Sequence, residues 1–209
     1  MFIPILKHIQ ITKKQIISYP DLYSFDEYVR YAESQIPEEI PIALIAESFS
    51  GPIAIALIAR NKRNYISAVL STTFSRPPLK PMIQSALKFP GLVRHSLQFK
   101  RLAINLFVLN GVTDQELKQN LKLLLDGLSL KTIMARLSCL NDCHVSDIIS
   151  QVRVPTLILN ATNDRLLGNK PTDIFDIPTA TVRQVDGPHL LLQANPKECS
   201  QLINSHVAP

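Results

Sequence analysis

Nothing in this sequence restricts its folding as severely as the stretch from Pro41 to Ala59, which is nearly all apolar yet broken at its centre. Its length approaches the roughly 20 apolar residues of a membrane span. However, Glu47, Ser48, Ser50, Gly51 and Pro52 occupy its middle, where a charge in hydrocarbon costs most. It therefore reads as two elements joined by a turn, with no membrane span. Ile42-Ala43-Leu44-Ile45-Ala46 is a continuous apolar strand of the type buried on both faces of a sheet. Gly51 to Arg60 is an apolar helix with Pro52 in its first turn, where a missing N–H costs nothing.

The rest of the chain repeats this alternation, which predicts an α/β fold with a mainly parallel sheet flanked by helices. Gln15 to Tyr19, stopped by Pro20, reads as a strand. Phe25 to Gln35 reads as a helix with Ser24 as N-cap and Pro37 beyond its end. Further strands are expected at Ile66 to Ser71, Thr156 to Leu159 and Thr181 to Val185, and a last helix from Pro196 to His206 behind Asn195. From about 75 to 145 the texture changes to prolines and amphipathic helical segments, among them a capping box, Thr113-x-x-Glu116, with Leu117, Leu121, Leu124 and Leu125 on one face. The expected organisation is one domain over 1–209, interrupted by a helical insertion at 75–145. With 209 residues, 46% apolar and 19% charged, the chain can bury a proper core. Three cysteines form no disulfide framework, and the first residues show no secretory leader, so a reducing, cytoplasmic setting is expected.

Three short segments can carry chemistry. Ala46-Glu47-Ser48-Phe49-Ser50-Gly51 lies where the buried strand meets the apolar helix. A sharp strand-to-helix turn with small residues around Ser48 would lift its hydroxyl above the sheet, and a developing oxyanion could meet the Phe49 N–H and the positive helix end. The alternative is that Ser48 or Ser50 only caps the helix. Asp164 follows the Thr156–Leu159 strand, at the sheet edge where ligand sites of parallel sheets form, or is an ordinary turn aspartate. His189 follows the next strand in a Gly187-Pro188 loop and reads as a base or as solvated surface. Asp186, three residues before it, is the competing acid and more simply ends the strand.

The order serine, acid, histidine at successive strand ends matches the α/β-hydrolase order. The elbow, the Val154-Pro155 strand ending in Asn163-Asp164-Arg165, and Gly187-Pro188-His189-Leu190-Leu191-Leu192 resemble the α/β-hydrolase superfamily, in particular small bacterial hydrolases with an Ala-Glu-Ser-Phe-Ser-Gly-Pro elbow, here Ala46 to Pro52. The resemblance implies a Ser48–His189–Asp164 triad acting on a carboxylic ester or thioester without a cofactor, with 75–145 as a cap over the site. It also implies an upstream strand and Gly-rich loop that donate a second oxyanion N–H. Phe2-x-Pro4-x-Leu6 resembles the helix that follows this loop, and only 6 glycines are present. The expectation is an incomplete or mis-started chain, or else a degenerate member of the superfamily, with the strands at 15–19 and 42–46 left unpaired or closed upon each other. This makes a weak or inert binding module the alternative function. C–C bond hydrolysis and acyl transfer are further chemistries of the same superfamily.

Between Arg76 and Arg136 there are ten basic and three acidic residues, so the insertion carries +7 of a chain whose net charge is +5. Such a field over an active-site mouth favours anionic or carrier-bound acyl substrates, or is simply a solvated basic surface. Leu102 to Leu109 reads as an apolar cap underside. Nucleic acid is not expected as a partner, because no aromatic stacking motif accompanies the basic residues. Cys139-x-x-x-Cys143-His144 lacks the second pair of ligands that a zinc site needs, so no metal is expected.

Overall fold

The protein is described by a computed structural model over residues 3–91, 115–168 and 173–207. Four parallel strands form one sheet in the order β1 (Ile42–Glu47), β2 (Tyr65–Ser71), β3 (Thr156–Ala161) and β4 (Ala180–Val185). Helices α1 (Ile3–Leu6), α2 (Phe25–Gln35), α3 (Ser50–Arg60), α4 (Lys80–Lys88), α5 (Gln115–Asp126), α6 (Leu130–Asp142), α7 (Leu191–Ala194) and α8 (Pro196–Val207) accompany it. This is the α/β architecture that the alternation predicts. No strand occurs at 75–150 among the described residues. Thr113 and the Leu102–Leu109 run lie outside them.

Side-chain alternation along the strands sorts the core into two layers. Ala68 and Leu70 of β2 and Ile158 of β3 pack with Tyr28, Val29 and Ala32 of α2 and with Ile53 to Ile58 of α3. Val69, Leu157 and Leu159 point the other way, onto Ile5, Ile9, Leu191, Leu192 and Ile203. Helices therefore cover both faces, and this is why β1 to β3 read as continuous apolar runs. The chain enters α2 through a full capping box, in which the Ser24 hydroxyl accepts from the Glu27 N–H and the Glu27 carboxylate accepts from the Ser24 N–H.

One expectation fails. Residues 15–19 are not a strand. Ile17 and Tyr19 do pack on the core, while Ile16 is exposed. Alternation decides which side chains are buried, but a strand also needs a partner ladder. Among the described residues none lies beside this segment. An apolar cleft of about 390 Å³ separates it from β1, lined by Ile5, Ile9, Ile17, Leu44, Ala46 and Leu57 among others. Among the described residues β1 pairs only with β2 and forms the sheet edge.

No described helix is long and apolar enough to cross a membrane. The Pro41–Ala59 stretch divides into β1 and α3 as its central break predicts. All three cysteines are free and buried, and burial pushes each thiol up to about 12.

Candidate active site

Ser48 sits between β1 and α3 with φ of +51°, a left-handed backbone that L-residues rarely adopt. Neither serine of the turn caps the helix. The N-cap is Phe49, with no side-chain cap bond, and the Ser50 hydroxyl turns back to donate to the Glu47 carbonyl while accepting from the Glu47 N–H, both at 2.9 Å. A tight reversal of this kind excludes bulk beside it. A Cβ on Gly51 would lie 1.8 Å from Thr73 Oγ1, and that hydroxyl donates to the Ser48 carbonyl at 2.7 Å. Ser48 N donates to Ser71 O at 3.0 Å, whereas the Phe49 N–H has no partner among the described residues. One backbone donor thus stands free beside the hydroxyl.

Two distant loops meet that hydroxyl. His189 Nε2 lies 2.7 Å from Ser48 Oγ, and His189 Nδ1 lies 2.7 Å from Asp164 Oδ2. A carboxylate only accepts, so Nδ1 carries the proton and the Nε2 lone pair faces the serine O–H. The His189 and Asp164 side chains are each 2% exposed, which strengthens both contacts by excluding water. Asp164 is also a turn residue. Its Oδ1 accepts from the Leu166 and Leu167 N–H groups, each at 2.9 Å, which leaves Oδ2 aimed at the imidazole. Asp186 serves elsewhere: its Oδ1 accepts from Thr162 Oγ1 at 2.9 Å and Asn163 Nδ2 at 3.0 Å, tying the acid-bearing turn to the histidine-bearing loop.

Several residues that the sequence reading passed over hold this arrangement. Thr72 Oγ1 donates to the His189 carbonyl at 2.7 Å from a backbone with φ of +41°. Glu47 is buried, with Oε1 accepting from the Leu192 N–H at 2.9 Å and Oε2 from Gln193 Nε2 at 2.8 Å. Burial pushes its carboxyl up to about 7, against the opposing pull of these two donors and of His189. Arg136 of α6 packs its guanidinium 4.7 Å from the Tyr28 ring centre and 5.2 Å from that of Phe49, and donates to the Tyr19 carbonyl at 3.0 Å. This cation–π contact ties α6 to the turn that bears the serine. The position of Thr72 and Thr73 just past β2, beside the strand that feeds the turn, is the one sequence signal that could have found them.

Among the described residues no group of three or more His, Cys, Asp and Glu side chains could hold a metal ion. His144 instead faces Ser146 Oγ at 2.7 Å.

The chain resembles known proteins in both sequence and fold. A family profile described as serine aminopeptidase, S33 matches residues 9–186. No curated protein matches significantly by sequence. A bromoperoxidase from Bacillus anthracis superposes with a TM-score of 0.75 at 14% identity, over 92% of this chain and 77% of that one. A lipase-esterase related protein from Clostridium acetobutylicum ATCC 824 gives 0.74 at 13% identity, over 99% and 88%. A thermophilic esterase from Thermogutta terrifontis gives 0.72 at 15% identity, over 94% and 76%. At such identities these likenesses show the fold.

Proposed function

Because the chain belongs to the serine aminopeptidase S33 family of α/β-hydrolase enzymes, we propose that it is a serine hydrolase cleaving carboxylic esters or thioesters of small or medium acyl groups. The carrying observation is the unbroken relay from the Ser48 hydroxyl through His189 to Asp164, with both links at 2.7 Å. In this reading the Ser48 oxygen attacks the acyl carbon while His189 Nε2 takes its proton. Asp164 keeps the imidazole in the required tautomer and stabilises the imidazolium. The Phe49 N–H and the start of α3 face the oxyanion that develops. The imidazolium then protonates the leaving alcohol or thiol. Water repeats the sequence on the acyl-enzyme and frees the acid.

The basic insertion favours acyl groups that carry a negative charge or ride on an acidic carrier. A fluorophosphonate probe tests the reading, since Ser48 Oγ forms a bond to phosphorus as fluoride leaves. Labelling at Ser48 that vanishes in Ser48→Ala is the expected result, and folded protein that stays unlabelled defeats it. A second reading, an inert pocket on the same fold, draws on the open edge of β1 beside the site. One missing oxyanion donor alone costs about 10²–10³ in rate. Ligand binding retained without turnover in both wild type and Ser48→Ala would favour it.

A further inference from the structure

We propose that Glu47 is a positioning residue that braces the element bearing the general base against the element bearing the nucleophile; this rests on the serine-hydrolase reading. Glu47 and Ser48 are consecutive, so whatever Glu47 grips is fixed relative to the nucleophile. It grips Leu192 and Gln193, which lie 145 and 146 residues away and directly follow the His189 loop. Upstream of that grip, Thr72 holds the His189 carbonyl and Asp164 holds Nδ1. A third anchor, the Asn163 N–H on the Gly187 carbonyl at 3.0 Å, also lies upstream, so the chain beyond could still pivot about residue 189. The Glu47 bonds close off the pivot from the far side, so that Nε2 stays within reach of the hydroxyl.

The chemistry of the contact explains the residue type. Two donors, a backbone N–H and an amide N–H, converge on one point in a buried layer. A carboxylate offers two acceptors in a fork and no competing donor. Burial disfavours its charged form, as the upward displacement of its carboxyl shows, so core packing alone gives no reason for an acid there. Gln193 Oε1 is buried without a partner among the described residues. A glutamine at position 47 could therefore accept from the Leu192 N–H with its oxygen and donate to Gln193 Oε1 after that amide turns over. Leucine could do neither.

This difference supplies the test, read as the rate at which a fluorophosphonate labels Ser48 in the full chain, alongside the kcat and KM of a p-nitrophenyl ester. Wild-type labelling comes first, because its absence defeats the hydrolase reading and not the brace. Glu47→Leu is expected to label about 10–100-fold more slowly, in the range typical of a displaced catalytic group, with kcat falling and KM little changed. Glu47→Gln is expected to stay within about fivefold of wild type. A downfield Nδ1 proton resonance should persist in Glu47→Gln and broaden in Glu47→Leu. Folded Glu47→Leu that labels at the wild-type rate overturns the proposal. So does Glu47→Gln as slow as Glu47→Leu, which would assign the effect to charge. If Glu47→Leu does not fold, Gln193→Ala, which removes one of the two grips, decides: slower labelling supports the brace and an unchanged rate overturns it.

Discussion

Ser48 and His189 are 141 residues apart in the chain, yet the hydroxyl of one lies 2.7 Å from Nε2 of the other. The contact exists because β1 and β4 run parallel in one sheet and release both residues at the same rim. Neither side chain creates this geometry by itself. It is imposed by the left-handed turn at Ser48, by Thr72 on the His189 carbonyl and by Asp164 on Nδ1.

The choice between the two acids is testable. Asp164→Asn is expected to lower kcat by about 10²–10⁴ with KM little changed, because the amide can present its NH₂ to Nδ1 and stabilise the wrong tautomer. Asp186→Asn, whose oxygen serves Thr162 and Asn163, should keep kcat within about threefold while losing up to ~1 kcal/mol of stability. Steady-state kinetics and urea unfolding of the two variants check the pair.

A pH dependence follows from Glu47. Burial raises its carboxyl to about 7 from an ordinary value of 4.5. A raised folded value favours the protonated form, so the stability associated with it is complete below about pH 4.5 and is lost as pH climbs through 7. The loss amounts to at most about 3 kcal/mol. Glu47→Gln does not titrate, so the stability of wild type relative to this variant should fall between pH 5 and pH 8. Urea unfolding of both proteins at those two pH values measures it, and a constant difference would refute the assignment.

Gly51→Ala should destabilise by about 1–3 kcal/mol through overpacking, since its Cβ would overlap Thr73 Oγ1. Adding Thr73→Ala removes the Oγ1 and Cγ2 overlaps but leaves the Cβ of residue 73 at 2.5 Å, so the double variant should recover only part of the loss in Tm. Equal Tm for Gly51→Ala and wild type would mean that the turn is looser than these contacts indicate.

Thr72→Val keeps the shape of the side chain and removes its donor. The buried His189 carbonyl then lacks the bond at 2.7 Å, which costs about 1–3 kcal/mol. The expected kinetic result is a reduced kcat at nearly constant KM, and unchanged kcat in folded protein would contradict it.

How much of this could be read beforehand depended on whether a residue's role is local. The strands at β1 to β3 were legible because burial on both faces leaves continuous apolar runs, and α2 was legible from Ser24 at its start and Pro37 beyond its end. Residues 15–19 misled because their apolar spacing records burial of Ile17 and Tyr19, whereas strand formation depends on a neighbour that no local pattern reports. The placement of Ser48, Asp164 and His189 at strand ends could be read from chain order. Chain position already favours Asp164, since Asp186 more simply ends its strand; that Thr162 and Asn163 occupy Asp186 shows only in the fold. Glu47 stood in plain view inside the motif, but its partners arise from packing across the sheet rim and leave no mark in the sequence.

The most direct measurement is the pre-steady-state burst of a p-nitrophenyl ester, followed with the intact mass of the quenched protein. A burst approaching one equivalent per chain is expected, with a mass gain of one acyl group located at Ser48, both absent in Ser48→Ala. Undiminished turnover by Ser48→Ala, or turnover with the acyl group on another residue, would contradict it.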